Sequence, residues 1–260
     1  MSKWLHRGFV LVIALGMGCT SRESRPLLIG MELAYPPFEM TDPAGKPAGV
    51  SVDLAHALGK HLGRKVRIEN TPFDGLIPAL KTGRVDLVIS SMTATPERSK
   101  SIDFSDSYVH TGLSILCGID SGVKGIADLN HAGRTVVVKL GTTGHTYATQ
   151  NVPNAKLLVL SKESACVLEV VQGKADAFLY DQLSIYMNWR RNRETTRAIL
   201  DPFQQESWAV GIRKGNGAML KDVNDFLRAF RSEGGFDRLG ETHLGEMKHA
   251  FEELGYPFIF

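Results

Sequence analysis

The chain has 260 residues, of which 43% are hydrophobic, 22% charged and 8% aromatic, with 26 Gly and 11 Pro. That length suits one large domain or two lobes at about 150 residues per domain, and the composition excludes a disordered, collagen-like or coiled-coil chain. Thirty Lys+Arg against 28 Asp+Glu and only three Cys exclude a global basic field for nucleic acid and a disulfide-dense scaffold.

Lys3 and Arg7 form a positive n-region ahead of an apolar run from Gly8 to Gly18. That run is too short to cross about 30 Å of hydrocarbon at about 1.5 Å per residue. Residues 1–18 therefore read as a cleaved export signal. Leu15-Gly16-Met17-Gly18-Cys19 resembles a lipobox, in which the Cys receives a lipid and becomes the new N-terminus. The alternative is an ordinary signal cleaved nearby. Removing residues 1–18 takes away two cations and no acid, leaving basic and acidic counts equal at 28. Residues 19–26 are polar and aperiodic and read as a tether. Cys117, in the run LSILC, and Cys166, at the start of a helix-like stretch, read as two buried free thiols rather than a bridge.

Strands and helices then alternate. Leu27–Met31 is a short apolar strand ended by Tyr35-Pro36-Pro37. Val52–Leu62 places its apolar residues on one helical face, with Asp53 near the favourable N-terminal dipole. Val66–Glu69 is a strand, Leu76–Leu80 begins a helix that stops at Gly83, and Val85–Ile89 is a buried strand. Thr95-Pro96-Glu97-Arg98 is a helix start, with Thr as cap and Pro in the first helical position. A second set follows: strands at Thr135–Val138, Leu157–Leu160 and Ala177–Tyr180, and a helix from Ser164 to Gly173. A strand at Trp208–Ile212 precedes two C-terminal amphipathic helices. Such alternation with short loops predicts largely parallel sheets covered by helices, and two sets predict two lobes.

Ligands of open α/β sheets lie beyond the carboxyl ends of the strands. That rule selects Glu32–Tyr35, Ser90–Arg98, Lys139–Gly144 and Asp181. Their hydroxyls, amides, cation and acid suit a small zwitterion. KLGTTG lacks the glycine and lysine spacing of a phosphate loop, and no HExxH or paired CxxC argues for a metal. No cofactor is expected. The histidines, His56 and His61 on the first helix and His243 and His249 near the end, read as solvated helix faces.

These places also carry a family resemblance. Residues 71–108 (TPFDGLIPALKTGRVDLVISSMTATPERSKSIDFSDSY), LAYPPFEM (33–40), GVSVDLAHAL (49–58), VVVKLGTTG (136–144) and KADAFLYDQ (174–182) resemble the periplasmic amino-acid-binding proteins, solute-binding protein family 3. The C-terminal LGETHLGEMKHAFEELGYPFIF resembles one branch of that family. The resemblance implies a type II periplasmic binding fold, a Venus flytrap with two mostly parallel sheets and two hinge strands. Lobe 1 would comprise residues 27–108 and 208–260, and lobe 2 residues 113–203. The implied partners are an amino acid in the cleft and an ABC permease in the inner membrane. The implied location is the periplasm, with anchoring through Cys19.

Residue by residue, the resemblance gives Arg98 the ligand α-carboxylate, a role its two-pronged guanidinium suits. The bland alternative is pairing with Glu97 or Asp103. Thr93, Ser90 and Ser91 match hydroxyls that contact the head group; the alternative is turn-forming and capping. Asp181 matches the acid for the α-ammonium, or else caps the next helix. Thr142 and Thr143 are candidates for closing on the carboxylate, with Gly141 and Gly144 allowing close approach. Tyr35 and Phe73 match aromatic walls around the ligand side chain, which Tyr180 also borders. Glu32 matches an acid that reaches a distal cation, which points to arginine, lysine or ornithine; its alternative is an ion pair with a protein Lys or Arg. The rival reading is an enzyme resembling cyclohexadienyl dehydratase, with Glu32 as general acid. A third is a sensor module acting through a separate partner.

Overall fold

The computed structural model describes residues 25–257 and 259–260. The expected signal, Cys19 and most of the tether lie outside the described residues.

Strand β1 (Leu27–Met31) is followed by a small antiparallel sheet of β2 (Ala34–Tyr35), β3 (Glu39–Thr41) and β4 (Pro47–Ala48). Helix α1 (Val50–His61) starts two residues before the sequence expectation and buries Val50, Val52, Leu54, Ala55 and Leu58. Its Gly59 lies against β5 (Val66–Asn70), where a Cβ would meet the Val66 side chain at 2.3 Å. A single turn at Phe73–Gly75 leads into α2 (Leu76–Lys81), then β6 (Leu87–Val88), α3 (Pro96–Ser99) and β7 (Ile102–Gly118). The second set comprises β8 (Thr135–Lys139), α4 (Thr143–Asn151), β9 (Lys156–Leu160), α5 (Glu163–Val171), β10 (Ala177–Asp181) and α6 (Gln182–Arg191). Strand β11 (Thr196–Arg213) and helices α7 (Gly217–Ser232) and α8 (Gly235–Glu253) complete the chain.

Two parallel sets are present, as expected: β5-β1-β6 at one end and β10-β8-β9 at the other. They do not form separate sheets. Strands β7 and β11 are 17 and 18 residues long and pair antiparallel with each other through the middle. Strand β11 also pairs with β6, and β7 with β10, so one eight-stranded sheet runs through both lobes. The β7–β11 register slips between Ile199 and Gln204, and the ladder resumes at Gln204–Leu113. Such a slip disrupts the ladder locally.

Both halves pack helices against apolar strand faces. Val136, Val138, Leu179 and Ile115 form one cluster in the second half. Leu76, Leu80, Val88 and Ile102 form another in the first. Cys117 and Cys166 are free and buried, as expected from their apolar settings. Among the described residues no helix is long and apolar enough to cross a membrane, and no group of three or more His, Cys, Asp or Glu side chains is arranged to hold a metal ion.

Candidate functional site

Strand β1 and the short strand β6 both end at the cleft, where β1 delivers Glu32 and β6 delivers Ser90 and Ser91. On the other side, β8 delivers Lys139 and the Gly141–Thr143 turn, and β10 delivers Tyr180 and Asp181. All ten side chains selected from sequence line one cavity between the halves: Glu32, Tyr35, Phe73, Ser90, Ser91, Thr93, Arg98, Thr142, Thr143 and Asp181. Glu39, Leu113, Tyr180, Glu206 and Trp208 complete the lining.

Arg98 is partly buried on α3, which Thr95 caps by accepting from the Arg98 N–H at 3.2 Å. Its guanidinium donates to the Thr93 carbonyl at 2.7 Å and, across the cleft, to the Gly141 carbonyl at 3.0 Å. Its Cζ stands 5.5 Å from the centroid of the Phe73 ring. Pairing with Glu97 or Asp103 is not what holds it: Glu97 is paired with Lys100, and Asp103 with Lys214. Burial lowers the Arg98 pKa, opposed by the Glu206 carboxylate. Glu206 in turn accepts from the Thr93 hydroxyl at 3.0 Å.

Asp181 caps the next helix, the alternative that the sequence allows, and it also lines the cavity. One oxygen, Oδ1, caps α6 by accepting from the Ser184 N–H at 3.0 Å. The same oxygen accepts from the Tyr35 hydroxyl of the other half at 2.6 Å. Both of these bonds fall on Oδ1. Burial, which disfavours a naked carboxylate, pushes the Asp181 pKa up to about 7, while the Tyr35 hydroxyl and Ser184 N–H pull it down.

The hydroxyls are more occupied than the sequence implies. Ser90 donates to Glu39 at 3.4 Å, and Ser91, at a left-handed φ of 46°, donates to Glu39 at 3.1 Å. Ser51 adds a third hydroxyl at 2.6 Å. Glu39 is buried, and that burial raises its pKa to about 8, only partly offset by Ser51 and Ser91. Thr142 caps α4 by accepting from the His145 N–H at 3.3 Å, and donates to the Lys139 carbonyl at 2.7 Å. The two glycines do allow close approach. A Cβ at Gly144 would meet the Leu179 carbonyl oxygen at 2.5 Å, and one at Gly141 would meet Asp74 Cβ across the cleft at 3.1 Å.

At the far end Glu32 makes an ion pair with Lys139, which realises the alternative of a protein Lys or Arg partner. Lys139 is 2% exposed. Its Nζ lies 5.4 Å from the Phe73 centroid and 5.9 Å from the Tyr180 centroid, in the gap where a ligand side chain would run. Sequence reasoning placed Lys139 at the cleft but gave it no role; an acid and a lysine at the ends of facing strands was the available signal. Glu39, which begins β3, and Glu206, inside β11, were missed outright, because neither lies beyond the carboxyl end of a strand. The cross-cleft contacts of Arg98, Glu32 and Tyr35 leave a cavity of about 30 Å³. That is room for about two waters.

One continuous sheet, two helix-covered halves and a cleft with opposite charges on its two walls define the two-lobed periplasmic binding architecture. The chain belongs to family 3 of the bacterial extracellular solute-binding proteins, whose model matches residues 27–246. It is 32% identical over 226 residues to the L-cystine-binding protein TcyJ of Escherichia coli (strain K12), covering 86% of this chain and 84% of that one. It is 28% identical over 235 residues to the L-arginine-binding protein of Pseudomonas aeruginosa, covering 86% and 90%. The structure is similar, at a TM-score of 0.77 and 37% identity, to the ancestral amino acid-binding protein AncCDT-1, a precursor of cyclohexadienyl dehydratase, over 84% of this chain and 95% of that one. The similar proteins are amino-acid-binding proteins, and their names include cystine, arginine, glutamine and histidine.

Proposed function

We propose that this protein binds an L-amino acid in the interlobe cleft and hands it to an ABC permease, without altering it chemically. The observation that carries the reading is the pairing of walls: Arg98 on one half and Asp181 on the other line the same cavity. A guanidinium fork suits the α-carboxylate and a buried carboxylate suits the α-ammonium. One zwitterion would thereby tie the halves together. Entry requires the walls to part, since Arg98, Glu32 and Tyr35 each bond across the cleft. Rotation of residues 113–203 against residues 27–108 and 208–260, about the slipped β7–β11 register, supplies that opening, and the ligand shifts the population toward closure.

The location that goes with this reading is the periplasm, with a lipid on Cys19 after removal of residues 1–18. Mass spectrometry of the exported protein tests that anchor: a mature chain beginning at an acylated Cys19 supports it, and an unmodified start elsewhere overturns it.

The cationic ligand expected from Glu32 has support in the arginine-binding relatives and in the Phe73 and Tyr180 rings around its Lys139 partner, which already hold a cation. It has a cost here. A guanidinium or ammonium that took Glu32 would have to displace Lys139, leaving a buried cation without its partner.

Thermal-shift screening with the twenty amino acids, ornithine and cystine tests the function, because a ligand that binds only the folded state raises its Tm. A shift with at least one of them, abolished in Arg98→Ala, is the expected outcome. No shift with any overturns the reading. Incubation with arogenate and prephenate tests the enzymatic rival: release of phenylalanine or phenylpyruvate would replace a binding role by catalysis.

A further inference from the structure

A second cavity, of about 360 Å³, adjoins the first between the two halves. Glu32 lines both, and Lys139 lines the second. The Glu32–Lys139 pair is thus a partition between a head-group chamber and an outer chamber. The outer chamber has charge of both signs on its walls, from Lys162, Glu163 and Arg191. Glu163 is the telling residue. Its Oε1 accepts from the Ser184 hydroxyl at 2.5 Å and from the Asn188 amide at 2.9 Å. Its Oε2 is buried with no hydrogen-bond partner among the described residues. An orphaned buried carboxylate oxygen is costly, and a donor carried by a ligand would satisfy it.

We propose that Lys139, Glu32 and Glu163 form a second charged subsite, and that the ligand is a long bis-amino acid whose far end carries both an ammonium and a carboxylate. This rests on the amino-acid-binding reading and deepens it. A purely cationic side chain would satisfy Glu32 and strand Lys139. A neutral side chain would leave the ion pair shut and have no use for the outer chamber. A second amino-acid head satisfies both partners at once: its carboxylate takes Lys139, and its ammonium takes Glu32 and the free oxygen of Glu163. The apolar middle of such a ligand runs between the Phe73 and Tyr180 rings, the gap that the Lys139 ammonium fills in this structure. Swinging Lys139 outward to meet the far carboxylate clears that gap, so the residue that closes the partition also selects what opens it.

Isothermal titration of the purified protein with L-cystine, L-cystathionine, L-arginine and L-glutamine tests this. At least one of the two bis-amino acids is expected to bind ten times or more tighter than arginine and glutamine. Lys139→Met should cut that affinity at least tenfold while arginine binding stays level or improves, because Glu32 is then released. Glu163→Gln should weaken the bis-amino acid and leave glutamine unchanged. Should Lys139→Met fail to fold by circular dichroism, the ligand ranking on the unaltered protein still decides. Arginine or glutamine binding tighter than both long ligands overturns the second subsite while leaving the head-group clamp standing. No binding by any of the four overturns the subsite too. The thermal-shift screen then separates that result from failure of the function itself: a shift with some other amino acid spares the clamp, and none at all removes it.

Discussion

The two ends of the cleft handle charge in opposite ways. At the head-group end Arg98 is held by the backbone carbonyls of Thr93 and Gly141, and Asp181 by a hydroxyl and an N–H. These hydrogen-bond partners are neutral, so they position the two side chains without an ion pair, although the Glu206 carboxylate also acts on Arg98. At the distal end Glu32 and Lys139 cancel each other across the same gap. Charges fixed by dipoles remain on offer to a ligand, whereas an internal ion pair must be beaten by one. Affinity for any amino acid should therefore reside at the first end, and choice among amino acids at the second.

The contrast can be broken at its strongest point first. Arg98→Ala should cost about 100-fold or more in affinity for every ligand that binds, since truncating one partner of a buried charge pair costs about 2–5 kcal/mol. Titration calorimetry reads it; an unchanged Kd would remove the clamp. Asp181→Asn keeps a side-chain oxygen to accept from Ser184 but loses the charge, and should cost about 30-fold. It should also flatten a pH dependence. In the free protein Asp181 ionises near pH 7, and an ammonium favours the ionised form. Affinity should thus be steady above pH 7 and fall as pH drops below it, by up to about tenfold per unit. Asp181→Asn should show no such fall.

Gly141→Ala sharpens the comparison from the backbone side. Gly141 has a φ of 77° and lies against Asp74 across the cleft, so an added methyl both strains the turn and holds the walls apart. A loss of about tenfold in affinity for all ligands is expected, with their ranking preserved. Glu39→Gln has the smallest effect on binding and acts on stability. The Glu39 pKa is about 8 in the folded protein and near its ordinary value of 4.5 when unfolded. The folded state therefore holds the extra proton between those values, and the contribution of Glu39 to stability is greatest below pH 4.5 and declines as pH rises toward 8. Glu39→Gln should raise Tm by about 5 °C at pH 8.5 and by little at pH 4. A gain independent of pH would show that Glu39 is not the titrating group.

Much of this was legible in the sequence, for identifiable reasons. Apolar runs such as Leu27–Met31 and Ala177–Tyr180, and the amphipathic stretch that became α1, gave the alternating elements. The rule that ligands gather beyond strand ends picked out the segments that hold nine of the ten side chains around the cavity, and the family resemblance added Phe73. What periodicity does not encode is tertiary. The first half of β11, TRAILDPFQQ, has no clean alternation because its residues cross from one half to the other. Its register slip and its role in fusing two sheets depend on pairing with a strand some 90 residues away in the chain. The hydroxyls at Ser90, Ser91 and Thr142 were read as facing a ligand. Their partners, Glu39 and the His145 N–H, appear only once the loops are folded. Glu32 was read correctly as charged and cleft-facing, but its Lys139 partner comes from the other half of the molecule.

The head-group claim is tested most directly by blocking each end of one ligand in turn. Calorimetric titration should compare the tightest-binding amino acid with its N-acetyl derivative and its α-methyl ester, side chain unchanged. Removing the ammonium should abolish what Asp181 holds, and esterifying the carboxylate what Arg98 holds, so both derivatives should bind at least 100-fold more weakly than the parent. Either derivative binding as tightly as the parent would contradict the account.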